Sequence, residues 1–271
     1  MAEKTKKADE ISEYNYYDSE MNWKYMSASQ YKSIQKCPAA AMAELKGEYT
    51  SSYGSGITFG KLMDAKFDGP AAMDRLMLSN RPDYFKKNGE PRADTIKCMA
   101  AYDRASRDPV FMDYMSGDHQ TIMTAELPEI PGIDWKIKMD SYFPGDKIVD
   151  LKYMANMDSQ YVNGERKTFI DAWRYDIQLS IYQRVEAVAS GTGELLPCYI
   201  AVITKETTPQ IDVIELPQWY LDSAYEEIKH YAPIFQEYKD GKEPPRCEHC
   251  DYCRETKIIE KPMTYEELLT A

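Results

Sequence analysis

Three adjoining stretches constrain this chain more than any others: Ile133 to Tyr142 (IDWKIKMDSY), Phe143-Pro144-Gly145-Asp146, and Lys147 to Tyr153 (KIVDLKY). The first alternates roughly in period two, the second is turn chemistry, and the third is short and apolar-rich, so together they read as a β-hairpin. Asp140 then lies near the turn on one strand, with Asp150 and Lys152 on the other. Residues two apart on a strand project from one face, so Asp150 and Lys152 share a side. An acid and a base on an otherwise apolar strand cost desolvation unless something compensates, and a divalent metal would do so. The plain alternative is a cross-strand salt bridge at a solvated sheet edge.

The tripeptide alone does not decide between these readings, because Asp64-Ala65-Lys66, Asp134-Trp135-Lys136, Asp240-Gly241-Lys242, Glu44-Leu45-Lys46 and Glu227-Ile228-Lys229 share its acid-x-Lys form. Its surroundings set residues 150–152 apart: a second acid on the preceding strand, Glu126 upstream, and a long helix downstream. That helix is expected over about 167–190, where Phe169, Ala172, Trp173, Ile177, Ile181 and Val185 form an apolar stripe. Gln178 and Tyr182 stand at i and i+4 on it and project from one side. A helix entered from the strand of Asp150 can pack across the sheet and bring both toward the hairpin. A surface glutamine and an interfacial tyrosine is the plain reading of the same pair.

Elsewhere, Ser27-Ala28-Ser29-Gln30 has the form of a capping box and opens a helix expected to reach about 46, bent near Cys37-Pro38. A short helix should carry 59–67, and helical pattern returns over 93–115. Strands are expected near 120–127, 197–204 and 210–216, and a last helix over 218–239. Residues 1–20 are charged and tyrosine-rich without a clear period, and read as a mobile or loosely docked arm. Residues 21–256 make one domain, and 257–271 a tail.

A formal charge of -12 argues against binding a polyanion through a generally basic surface. A local track could still be built from Lys32, Lys36, Lys61, Lys66, Arg166, Lys167 and Arg174 on an acidic body. No apolar run approaches a membrane span, and the first residues (MAEKTKKADE) lack the apolar core of a signal peptide, so a cytoplasmic location is expected.

Six cysteines in such a protein read as thiols or metal ligands rather than disulfides. Cys247, Cys250 and Cys253 follow a C-x-x-C-x-x-C spacing that suits a soft metal. A closed site needs a fourth ligand. Cys37, followed by proline as cluster cysteines often are, is the best candidate, whereas His249 lies awkwardly between two of the three. Iron-sulfur and zinc both remain open. Cys98 and Cys198 sit in apolar surroundings and read as core thiols.

Gly60-x-x-x-Asp64, Glu126, Asp140, Asp150-Leu151-Lys152 and Gln178-x-x-x-Tyr182, in that order, resemble the PD-(D/E)XK nuclease superfamily. The closest likeness is to its RecB-like branch, which contains the nuclease domain of exodeoxyribonuclease VIII and related phage recombination exonucleases. Ser27 to Tyr31 with Cys37-Pro38 is similar to the first helix of these proteins, so the resemblance covers about 26–256. It implies an α/β fold with a restriction-endonuclease-like core, a central mixed sheet flanked by helices, and a C-terminal segment, 244–256, clasped by cysteines.

The resemblance also implies a DNA exonuclease using Mg2+ or Mn2+, with two ions. Asp140 and Asp150 would hold them, joined by Glu126, Asp64 and the Leu151 carbonyl. Asp64 departs from the branch, which often has histidine there. Lys152 would orient the attacking water, with a pKa expected to fall near a cation, and Gln178 and Tyr182 would hold DNA. No histidine is given a catalytic part. Several relatives join one early cysteine to three late ones around a [4Fe-4S] cluster, which implies Cys37, Cys247, Cys250 and Cys253 here, with zinc as the alternative. The family's 5' to 3' resection of duplex ends implies a single-strand annealing protein as partner, a possible homo-oligomeric ring, and a bacterial host cytoplasm for a phage or prophage protein. The alternatives are a single-strand nuclease like the CRISPR-associated adaptation nucleases and an inactive DNA-binding module.

Overall fold

Among the described residues seven helices precede the sheet: α1 (Ser19–Lys24), α2 (Ala28–Lys36), α3 (Pro38–Lys46), α4 (Gly56–Phe67), α5 (Pro70–Tyr84), α6 (Ala93–Ala105) and α7 (Pro109–Tyr114). Then come β1 (Asp118–Leu127), β2 (Ile130–Phe143), β3 (Lys147–Met154), the short β4 (Gln160–Val162) and β5 (Glu165–Lys167), α8 (Phe169–Ala172) and α9 (Tyr175–Ala189). The chain continues through β6 (Cys198–Thr204), β7 (Ile211–Leu216), α10 (Gln218–Lys239), α11 (Asp251–Glu255) and α12 (Tyr265–Leu268). This is a computed structural model that describes residues 10–51, 56–162, 164–259 and 261–269.

The main sheet has the order β1-β2-β3-β6-β7. Its β3–β6 pair is parallel and its other pairs are antiparallel, so the sheet is mixed, and β4–β5 form a separate ribbon. Helices cover both faces. On one, Ile137, Met139, Ile148, Ile200 and Val202 meet Ile177, Ile181 and Val185 of α9, with α10 and α2 behind. On the other, Val149, Leu151, Ala201 and Ile203 meet Leu62 and Met63 of α4 and Cys98 and Ala101 of α6. Cys98 and Cys198 are fully buried, as core thiols should be. Among the described residues no helix is long and apolar enough to cross a membrane.

The expected helical stretches 27–46, 93–115 and 167–190 are each divided, the first at the bend expected near Cys37-Pro38 and the second between α6 and α7. Ser27 Oγ accepts from Gln30 N at 3.3 Å and starts α2, but Cys37 adopts extended backbone (φ -159°, ψ 102°) and separates it from α3, which begins on Pro38. The stretch 167–190 breaks into α8 and α9 at Arg174, whose left-handed backbone (φ 53°) is unusual for a side-chain-bearing residue. The guanidinium holds that conformation by reaching Asp176 at 3.1 Å and Glu227 at 2.8 Å. Arg174 is therefore a staple between α9 and α10 rather than a free member of a basic track.

The placement of the site follows from where β2 and β3 pair. Only Ser141–Val149, Tyr142–Ile148 and Phe143–Lys147 are partners. Beyond them β2 continues with β1 and β3 with β6, so the two strands part. The edge that β2 loses is taken by the segment before α2: Met26 N donates to Asp134 O at 2.8 Å and Lys136 N to Met26 O at 2.9 Å.

This pairing docks the N-terminal segment more firmly than a loose arm would be, with Tyr16 and Met21 buried. Residues 1–9 lie outside the described residues. Two buried lysines anchor it. Lys136 Nζ donates to Tyr16 O at 2.5 Å and Asn22 Oδ1 at 2.7 Å, and Lys239 Nζ donates to Asn22 O at 3.0 Å and Tyr25 O at 2.8 Å. Their partners are neutral oxygens, and burial lowers the pKa of each to about 8.

Candidate active site and cysteine centre

Where β2 and β3 part, the Leu151 N–H donates to Asp140 Oδ2 at 2.8 Å instead of to a strand carbonyl. That bond holds Asp140 beside Asp150, the next residue opposite it after the Ser141–Val149 pair. Asp150 is only 2% exposed, and Lys152, two residues on along β3, forms an ion pair with its Oδ2. The Lys152 ammonium also lies 3.4 Å from the Leu151 carbonyl and 5.2 Å from the centre of the Tyr175 ring.

From the opposite side α9 supplies Gln178. Its Nε2 donates to Asp150 Oδ1 at 2.7 Å and lies 3.5 Å from Tyr182 Oη, one helical turn on. Its Oε1 accepts from Lys32 of α2 at 3.1 Å. Asp64 arrives on α4, close enough for Asp140, Lys152, Asp68 and Lys138 to perturb its charge.

The electrostatics describe acids held together against their preference. Burial, then Asp140, raises the Asp64 pKa far above the usual carboxylate range, although Lys152 opposes the shift. Burial, then Asp150, raises Asp140 to about 6, while Lys152, the Leu151 N–H and Lys138 limit the rise. For Lys152 burial works downward, but Asp150, Tyr175 and Asp140 outweigh it and push the pKa up. The fall expected of Lys152 presupposes a bound cation; the acids alone push the other way. Asp150 Oδ2 is buried and, apart from the Lys152 ion pair, accepts no hydrogen bond. Hard oxygen donors with raised pKa values around such an atom fit a divalent cation of the Mg2+ or Mn2+ type. Asp140, Asp150, Asp64 and the Leu151 carbonyl are the groups that would hold it.

The second constellation closes at the other end of α2. Cys37, Cys247, Cys250 and Cys253 bring their sulfurs within 4.8 Å of one another. Cys37 Sγ is 3.6 Å and Cys247 Sγ 3.8 Å from Cys253 Sγ. A tetrahedral ion with thiolate bonds of ~2.3 Å sets its sulfurs ~3.8 Å apart, whereas a four-iron cluster spreads them to roughly 6 Å. His249 is exposed, with Nδ1 turned to the Cys247 carbonyl at 2.6 Å, and stays outside the sulfur set. Against burial, which pushes it up, the N–H groups of His249 and Cys250 bring the Cys247 thiol down to about 6, toward the thiolate a metal requires. Ala39 N to Pro245 O at 3.2 Å and the Tyr49–Tyr252 ring pair tie the same two segments together.

Residues 27–256 match the family described as a PDDEXK-like domain of unknown function (DUF3799). The chain belongs to that family. Its fold is also that of a crystal structure described as a "Putative exonuclease" from Eubacterium rectale, with a TM-score of 0.87 and 37% sequence identity over 96% of this chain and 98% of that one. No curated protein matches the chain.

Within this PDDEXK-like domain Asp64, Asp140, Asp150, Leu151, Lys152, Gln178 and Tyr182 converge as the sequence suggests, and Glu126 does not. Glu126 pairs with Asp134, six residues before Asp140 on β2, which places it roughly 20 Å along the strand. It is exposed and accepts from Gly132 N at 2.6 Å, closing the β1–β2 turn. The β1 residue beside Asp140 is Gln120, between the His119–Ser141 and Thr121–Met139 pairs, and its Nε2 lies 3.3 Å from Asp140 Oδ1. His119 Nδ1 lies 3.1 Å from the Asp140 carbonyl and 3.4 Å from Asp68 Oδ1. Asp68 could have been found from its i+4 spacing to Asp64. His119 and Gln120 could not, because only the strand register brings them there.

Proposed function

We propose that this PDDEXK-like domain is a divalent-metal-dependent DNA nuclease that digests from strand ends. One observation carries the reading: the parting of β2 and β3, where the Leu151 N–H fixes Asp140 against Asp150 with Lys152 on the same strand. The name of the Eubacterium rectale neighbour supports action at ends. A cation bound by the acids supplies Lewis-acid polarisation of the phosphate and a water of lowered pKa. Lys152, kept protonated by its acidic neighbours, stabilises negative charge on the phosphate and orients the attacking water. Gln178 holds Asp150 in orientation, and with Tyr182 steadies the backbone next to the bond being cut.

The polarity drawn from the resemblance is 5' to 3' on duplex ends, leaving a 3' single strand suited to an annealing protein. A homo-oligomeric ring would keep the duplex threaded between successive cuts. Duplexes labelled at either end, and the matching single strands, digested with Mg2+ and Mn2+, test both polarity and substrate. Preferential loss of single strands would favour the adaptation-nuclease reading, and tight binding without product a DNA-binding module.

For the cysteines we propose a single tetrahedral ion, zinc in chemistry, in place of the [4Fe-4S] cluster the resemblance implies. The sulfur spacing supports it, and its role is to clasp α11 onto the α2–α3 junction. Metal analysis of anaerobically purified protein with its absorbance spectrum tests this: one zinc and no visible band are expected, while four irons with a broad visible band contradict it.

A further inference from the structure

Lys32, one of the lysines of the expected basic track, stands at the acid site, and the nuclease reading gives it no specific contact there. Its ammonium donates to two neutral oxygens, Gln178 Oε1 at 3.1 Å and Trp173 O at 3.4 Å. Among the described residues no carboxylate lies within ion-pair distance of it. The nearby acids are committed elsewhere: Asp176 and Glu227 to Arg174, and Asp150 to Lys152 and Gln178. Lys32 and Lys152 flank one ring, with their ammonium groups 5.6 Å and 5.2 Å from the centre of Tyr175. Burial first, then Lys152, lowers the Lys32 pKa to about 8, with Asp150 and Asp176 opposing from beyond ion-pair distance. The fold therefore keeps a second cation beside the first and, among the described residues, gives it no carboxylate in direct contact.

A half-buried cation with no acid in contact is costly in the free protein, and such an arrangement suits one that acquires its anion from a ligand. The anion class follows from position. A nucleic-acid strand lying over Asp150 and Lys152 carries phosphates at successive nucleotides, and Lys32 lies on the Gln178 side of that path. We propose that Lys32 binds a backbone phosphate of the strand being cut, next to the scissile one, while Gln178 keeps its amide turned toward Asp150. This rests on the nuclease reading and adds a substrate-contacting residue to it. The plain alternative is that Lys32 only orients Gln178.

The two differ in what they do to binding. Wild type, K32Q, K32R and, as a control for general charge loss, K242Q at the exposed Lys242 beyond α10 are titrated onto a fluorescent 5'-phosphorylated duplex and its single strand. Ca2+ replaces Mg2+ to suppress cleavage, and the titration is repeated over a range of salt. K32Q is expected to bind roughly tenfold more weakly, with a salt slope lower by about one, while K32R keeps the wild-type slope. K32M, which keeps the buried stem, is read the same way should K32Q not fold. Unchanged affinity and slope in K32Q, with only kcat reduced, would overturn the proposal and leave Lys32 a positioning residue. A slope lost equally in K242Q would also overturn it. Failure of the wild type to bind or cut any DNA would instead remove the nuclease reading itself.

Discussion

Gln178 on α9 donates to Asp150 on β3 at 2.7 Å, joining the helix layer to the point where the sheet divides. With the ammonium of Lys32 on its carbonyl, the amide has one orientation that satisfies both neighbours. Gln178→Leu keeps the volume and removes the donor. Its kcat is expected to fall about 10- to 100-fold, with thermal stability little changed. Steady-state kinetics beside a melting curve check this.

Asp140→Asn separates stability from activity. The Asp140 pKa rises from 3.8 to about 6 on folding, so between those values the native state binds more protons than the unfolded one. Stability from this group therefore falls as pH rises through that window. The melting temperature of Asp140→Asn minus that of wild type should grow from pH 4 to pH 6.5 in the absence of divalent metal, even though cleavage is lost. Mg2+ at neutral pH should raise the wild-type melting temperature more than that of the variant.

Glu126→Ala should leave cleavage within about twofold of wild type, because its carboxylate closes a turn roughly 20 Å from Asp140. Losing the bond to Gly132 N should cost about 1 kcal/mol of stability. A hundredfold fall in kcat would restore it to the metal site.

The contrast between Glu126 and Gln178 shows what local pattern can carry. Gln178 and Tyr182 are related by helical spacing and Asp150 and Lys152 by strand spacing, and both survive errors of a residue or two in element ends. Glu126 depends on register along two long strands, which period-two alternation leaves undetermined. The break at Cys37 is announced by Pro38, whereas the break at Arg174 is hidden, since it is held by a distant partner, Glu227. The parting of β2 from β3, on which the site depends, is a property of pairing and has no signature in either strand alone. Helix α5 and the β4–β5 ribbon also have no counterpart in the sequence pattern.

Cys37→Ser removes one of four sulfurs and joins a test of the clasp to a test of the metal. Metal content should drop below half an equivalent, and proteolysis should release the segment after α10, while the sheet and its acids stay folded. The melting temperature should fall by several degrees, in keeping with the loss of a closed structural site. Full metal retention in this variant would show that Cys37 is not a ligand.

On the proposed function, the carboxylates where β2 and β3 part make a metal-dependent phosphodiester-cleaving site. End-labelled DNA, duplex and single-stranded, incubated with Mg2+ and either wild type or Asp150→Asn tests it most directly. The wild type should shorten at least one substrate, EDTA should stop it, and the variant should be inactive by at least about a thousandfold while still folded. Undiminished hydrolysis by folded Asp150→Asn would contradict the account.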